Sequence, residues 1–537
     1  MIERSMVPRR EASRWWQVAR TAVSAVGFGA GAAALLWAFR RQGTTEQDLQ
    51  LRERIAAEGL EQRKRAAQVA EHDVTERWVA ELYTKAVEQL GSDKAAVRLG
   101  GLYALEQLAQ DNPGHRQTIV NVICAYLRLP GPVDEDLEEN QDSASVKSAG
   151  GAGSVEEQQA ARERARQWAE ERQVRQTAQR ILTDHLFPDR DEKTGRPTNP
   201  KFWPDIDLDL SGATLHKWEF AGCEVRHANF FQTVFRGGAL FYGAVFHGDA
   251  WFNRATFHGD VEFYGTIFHG YARFHRSVFH GEAAFGGAVF HGDAGFHAAV
   301  FRDRAAFSNV AFHAGADFGR AVFRVDANFS DAVFRGITWF EDAVFRGYAW
   351  FDEAVFHDSA GFGDAVFHKK GNFRETVFHD EARFVMAVFH GDAWFREVIF
   401  HDSVKFDEAV FRDSAWFEDA VFRGIAWFEG AVFHNNVKFE DAAFHDDARF
   451  DKAIFYDDVW FDEAVFHKGV QLVKARARLD RKAERVWPVG WQVWEPADDE
   501  EGLLEGHEGV WGFLEKVAEE DKPTSSGDGE DDPSEVA

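Results

Sequence analysis

One stretch, Phe230 to Phe466, constrains this chain more than any other, because phenylalanine recurs there with a fixed rhythm. One series runs Phe235, Phe246, Phe257 and on every eleventh residue to Phe466; a second runs Phe230, Phe241, Phe252 and on to Phe461. Each series has 22 members without interruption, so the two hold 44 of the chain's 51 phenylalanines. The gaps alternate between five and six residues. A small residue, usually alanine, stands two before most of them, as in Ala244-Val245-Phe246 and Ala250-Trp251-Phe252. Self-similarity this regular specifies a stack of structural repeats, in which each unit is buried by its neighbours.

The stack begins at Asp205 with a plainer rhythm. Leu210, Leu215, Phe220, Val225, Phe230 and Phe235 follow one another at intervals of five, with Ala213 and Ala228 two before Leu215 and Phe230. This segment, DLSGATLHKWEFAGCEVRHANF, resembles the pentapeptide-repeat family, whose consensus is A-(D/N)-L-x-x. The resemblance implies a mainly β fold, a right-handed quadrilateral β-helix over 205–470, with the large residue and the small one before it pointing inward. Beyond Phe235 the sequence departs from the consensus by one added residue in every second repeat, as in His247-Gly248-Asp249, like the Phe-rich branch of that family. A coil of about 22 residues with two widened corners follows. With equivalent residues about 4.8 Å apart, Phe246 is expected beside Phe268, and the rod is expected to be on the order of 55–60 Å long.

Upstream of the rod the chain changes character several times. A basic tail, 1–20, precedes Thr21–Phe39, which carries no charged residue from end to end and is flanked by Arg14, Arg20, Arg40 and Arg41. That length spans a hydrocarbon core, and Trp15, Trp16 and Trp37 suit the interfaces, so 21–39 reads as a single transmembrane helix. The basic flank after it argues against a cleaved signal. Arginines are almost balanced on the two sides, which leaves orientation open. Residues 44–73 read as a charged helical stalk. A small helical domain is expected over 74–130, with helices near 74–90, 94–110 and 114–128 carrying Leu99, Leu102, Leu105 and Leu108 and then Ile119, Val122, Ile123 and Leu127 at helical spacing. The acidic, Gly/Ser-rich 131–154 reads as a disordered linker, and 155–187 as one more helix. This half resembles membrane-associated pentapeptide-repeat proteins of actinobacteria. After the rod, 471–495 reads as a cap through Trp487-Pro488-Val489-Gly490-Trp491, and 496–537 as an acidic, largely disordered tail with a weak helix near 509–518.

Charge narrows the partners. A formal net charge of −28 disfavours nonspecific binding to nucleic acid or to an anionic bilayer surface. The excess sits late in the rod: 206–340 has 13 acids against 11 bases, whereas 341–470 has 27 against 13. Two cysteines, Cys124 and Cys223, form neither a disulfide framework nor a C-x-x-C zinc pair, and they favour the cytosolic side for the rod.

Residues adjacent to the phenylalanines point outward and must carry any binding. The position after the first series holds 14 His, seven Arg and Tyr456, forming two ladders on opposite sides. Imidazoles of ordinary pKa near 6.5 would titrate in mild acid. No ordered set of mixed ligands marks a metal site, and no cofactor or catalytic group is expected. Carboxylate pairs such as Asp407-Glu408 and Glu418-Asp419 repeat on a convex surface, where they decorate rather than catalyse. Trp339, Trp350, Trp394, Trp416, Trp427 and Trp460 stand one before their Phe and face out. The candidate partner surface is Trp350, Trp394, Trp416 and Trp460 with Asp407, Glu408, Glu418 and Asp419. The reading is a non-enzymatic, membrane-tethered scaffold that binds a protein and is open to homo-oligomerisation. The alternative, taken from the family resemblance, is a DNA mimic that inhibits or protects a type II topoisomerase.

Overall fold

The computed structural model describes residues 54, 57–66, 76–130, 155–191, 193–495, 504 and 507–517. The basic tail 1–20, the apolar segment 21–39 and the linker 131–154 lie outside the described residues, as do most of the stalk and of the acidic tail. Among the described residues no helix is long and apolar enough to cross a membrane. The chain divides into two units at Leu82 and Tyr83. In the first, 57–66 and 76–82 are helical, in keeping with their charged, proline-free sequence.

The second unit opens with helical residues 83–90, then helices Ala95–Asp111, Arg116–Arg128 and Val155–Leu186, with a 3₁₀ turn at Pro113–His115. Leu102, Leu105, Leu108, Ile119, Ile123 and Leu127 are buried, together with Val174, Ile181 and Leu182 of the long helix. Val120 faces the core where Val122 was expected to, and Leu99 is only half-buried. Gly101 lacks a side chain for a reason: a Cβ there would lie 2.8 Å from the Ala86 carbonyl oxygen, so only glycine lets the two helices approach.

The rod is a right-handed solenoid of about 13 turns. Its short parallel strands form four faces, numbered here in chain order. Face 1 runs in thirteen strands from Leu208–Asp209 to Val470–Gln471. Faces 2 and 3 start together in the long strands Thr214–Glu219 and Val234–Leu240, and face 4 runs in twelve strands from Glu224–Val225 to Val465–Phe466. Leu208 pairs with Ala228, whereas Ala228 pairs with Ala250 and Ala250 with Ala272, so the first step on that face is shorter by two than those that follow. A register shift between His216 and Trp218 marks where the wider coil begins. Thirteen strands at about 4.8 Å give a rod about 60 Å long.

The second Phe series lines faces 1 and 3 and the first lines faces 2 and 4. Within a face the rings stack flat: Phe351 and Phe373 are 4.8 Å apart at 0°, and Phe345 and Phe367 are 4.8 Å apart at 6°. Across the middle, faces 1 and 3 interdigitate edge to face, as Phe340 and Phe351 do at 5.3 Å and 88°. Both geometries suit the aromatic quadrupole. Thr233, Thr266, Ser277 and Thr376 take the small inward position, and each hydroxyl donates to a carbonyl of the preceding coil at 2.7 Å; Thr338 takes it too, its hydroxyl donating to the Gly336 carbonyl at 3.2 Å.

The corners alternate in type. After each face 1 or face 3 Phe comes a tight turn: the Ala255 N–H donates to the Phe252 carbonyl at 3.0 Å, and Arg254, at φ 56°, donates to the next coil's His275 carbonyl at 2.9 Å. Left-handed positions of this kind favour glycine, yet Asp342, Glu353, Asp364 and many others occupy them at φ 54–58°. After each face 2 or face 4 Phe comes the widened corner, where two closures recur. In corners that read Gly-Asp, the Asp can accept the backbone N–H one coil on, as Asp249 does from Tyr271 at 3.0 Å. With Asp in the middle, its carboxylate accepts the very next N–H, as Asp380 does from Glu381 at 2.6 Å and Asp402 from Ser403 at 2.6 Å.

Both ends of the sheet are covered, as exposed strand edges require. At the start two glutamine amides pair with peptide groups of the first coil. Gln117 bonds the Asp207 N–H and C=O at 2.8 and 2.9 Å, and Gln179 bonds those of His216 at 3.1 and 2.9 Å. At the far end Trp487 lies edge-on to Phe455 at 5.3 Å, as its place in the expected cap suggests. The weak helix expected near 509–518 is instead strand Trp511–Lys516, antiparallel to both Arg476–Arg478 and Trp491–Trp494. The open edge at Arg476–Arg478 supplies backbone partners that a short isolated helix lacks, so pairing overrides local helix preference.

Candidate protein-contact surface

Because a turn takes about 22 residues, outward residues one turn apart share a face. Face 3 presents in succession Trp350, Asn372, Trp394, Trp416, Lys438 and Trp460. The four tryptophans expected to share a surface therefore do so. Trp339 and Trp427 stand half a turn out of phase and lie on face 1, opposite. The face 3 rings are half-buried, not fully exposed. Lys370, from the widened corner, places Nζ over Trp394 at 2.7 Å and near Trp350 at 5.6 Å from the ring centroids, and Lys438 lies between Trp416 at 5.2 Å and Trp460 at 4.9 Å. These are cation–π contacts. Burial holds the Lys370 ammonium below its usual pKa. Neither lysine was expected in the surface, although Lys438, one turn from both Trp416 and Trp460, was legible from the period.

The tight corner after face 3 carries a carboxylate in every coil from Asp352-Glu353 to Asp462-Glu463. Glu418 is 9% exposed and is held by Arg396 Nε at 2.6 Å and Lys438 Nζ at 3.6 Å, which joins the acidic column to the tryptophan row; Asp419 beside it is exposed. Asp407 and Glu408 are elsewhere, on the tight corner between faces 1 and 2, diagonally across the rod. Burial pushes the Asp407 carboxyl above its usual pKa, and it accepts the Glu429 N–H at 3.2 Å. Of the eight expected site residues, six come together and these two do not.

The histidine ladders run along faces 2 and 4. On face 4, His269, His291 and His313 stack at 4.9 Å, and His357, His379 and His401 at 4.9 and 4.7 Å. Burial first, and then the neighbouring imidazole or arginine, holds His269, His313, His357 and His401 below the ordinary histidine pKa. These four imidazoles thus resist protonation more than free ones would. Among the described residues no three His, Cys, Asp or Glu side chains are grouped closely enough to hold a metal ion.

No curated protein and no solved structure matches the chain. The family described as Pentapeptide repeats (9 copies) matches in overlapping windows that run from 230–278 through 318–366 and 395–443 to 428–476. Those windows span the coils whose inward Phe, small preceding residue and four-faced register are set out above, and over residues 230–476 the chain is a pentapeptide-repeat protein.

Proposed function

We propose that the protein is a non-enzymatic scaffold, tethered to a membrane through 21–39, whose rod binds a protein partner along face 3. The observation that carries this reading is the row Trp350, Trp394, Trp416 and Trp460 beside an unbroken column of corner carboxylates. Aromatic rings next to acids suit a partner that presents basic groups, since such groups engage both. A repeat rod offers a long surface but lacks the enclosing cleft that chemistry needs. The test is capture of partners from detergent-solubilised membranes by the full chain and by a Trp394→Ala/Trp416→Ala variant. A protein retained by the first and released at least tenfold from the second supports the reading; equal retention sinks it. The DNA-mimic alternative suits the acidic late coils but not the lysine-topped tryptophans or the His/Arg rows. Inhibition of gyrase supercoiling at micromolar protein would revive it.

A further inference from the structure

Faces 2 and 4 depart from the family consensus at one position in every coil. Where that consensus has Asp or Asn before the large inward residue, face 4 has Val245, Ile267, Val289, Ala311, Val333 and so on to Val465, an unbroken apolar row of eleven. The row is half-exposed, and Val465 is 48% exposed. Eleven coils at about 4.8 Å make a stripe about 50 Å long; at about 10 Å wide it would bury about 1,000 Å² over two copies, the size at which specific interfaces begin.

Charge flanks this stripe asymmetrically over seven consecutive coils. On one side the tight corner presents Asp331, Glu353, Glu375, Glu397, Asp419, Asp441 and Glu463. On the other side stand Arg335, His357, His379, His401, Arg423, His445 and His467. Among the described residues Asp331, Glu353, Asp419, Asp441 and Glu463 make no ion pair. If two such faces are laid together about a two-fold axis parallel to the rod, left exchanges with right while height is kept. Each acid then faces the His or Arg of the same coil on the other copy, and valine faces valine. An antiparallel pair would set acids against acids. Face 2 shares this property only in part: over the same coils Asp342, Asp364 and Glu408 precede its apolar row, but Met386, Gly430 and Lys452 interrupt the series, and in earlier coils Arg254, Arg276 and Arg320 stand where acids would be needed. A ladder of this repeat stays in register over its full length only with another ladder of the same repeat.

We propose that face 4 is a homodimer interface, with two rods parallel and in register about a two-fold axis along their length. The test uses the full chain in detergent micelles and measures protein mass by sedimentation. The expected mass is twice 60.8 kDa. Val377→Lys/Ile399→Lys should return it to 60.8 kDa, while Val366→Lys/Val388→Lys on face 2 leaves the dimer intact, with thermal melts showing that both variants fold. Sense is tested separately. Val377→Cys should oxidise to a covalent dimer, because a parallel axis brings residue 377 against its own copy and an antiparallel one does not; Cys124 and Cys223 are buried. A monomer at about 50 μM, a dimer indifferent to the face 4 lysines, or a folded Val377→Cys that fails to cross-link would each overturn the proposal.

Discussion

Replacing Phe351 with alanine isolates what a single ring contributes to the middle of the rod. Phe351 is fully buried and stacks on Phe329 at 5.0 Å and Phe373 at 4.8 Å. It also meets Phe340, Phe362 and Phe345 edge-on at 5.3, 5.5 and 5.9 Å. Buried Phe→Ala changes cost about 3–5 kcal/mol, with the larger losses where the site cannot collapse. Collapse is blocked here, because the strand ladder fixes the spacing of the rings above and below. The expected loss is therefore at the top of that range, about 5 kcal/mol. Phe461 provides the comparison: it is 4% exposed, stacks on Phe439 at 4.8 Å, and has Trp487 at 6.5 Å where the next coil would be, so its loss should be about 3 kcal/mol. A long repeat array can unfold in pieces, so amide exchange is the proper readout, not a global midpoint. Phe351→Ala should accelerate exchange at the coils centred on Phe329 and Phe373 and leave the first and last coils protected. Equal losses at the two sites, or a loss below about 2 kcal/mol at Phe351, would refute the idea that stacking between fixed coils holds the rod.

Other features carry outcomes of their own. Asp364 sits at φ 56°, so Asp364→Gly should change stability by under about 1 kcal/mol, whereas Asp364→Val should cost about 2 kcal/mol or more by thermal melting. Because His269, His313, His357 and His401 have folded pKa values below the unfolded one, the unfolded chain binds protons first on acidification. Stability should hold above pH 6.5 and fall as pH drops below it toward the folded values, and a flat melting temperature from pH 7.5 to 5 would contradict this. Trp511 is fully buried and edge-on to Tyr456 at 4.8 Å, so Trp511→Ala should loosen the terminal strand, uncover the edge at Arg476–Arg478 and raise aggregation as seen by light scattering.

How much of this was legible in the sequence differs from element to element. The interior was almost wholly so, since inward Phe and Ala repeat at the coil period and a parallel ladder leaves them no other place. The face 3 tryptophans were legible by the same arithmetic, which sets Trp339 and Trp427 half a period away. Placing Asp407-Glu408 with Trp416 ignored that half-period. Lys370 over Trp394 was hidden, because a long side chain chooses among rotamers that spacing does not fix. The strand Trp511–Lys516 was hidden because its partner, Arg476–Arg478, lies far earlier in the chain, and local sequence carries no trace of it.

The alternating corners have one more consequence. Half a coil carries the chain from one face to the opposite face, and both positions hold an inward Phe. Excising one whole coil from the middle would shorten the rod by one step and leave every later side chain facing as before. Excising half a coil would keep each core position filled but turn everything beyond the cut through half a revolution, so that Trp416 and Trp460 would emerge on the side where Trp339 now stands. The interior is blind to that change and the exterior is not. Family members that differ by odd numbers of half-coils would thus share one core while aiming their contacts in opposite directions.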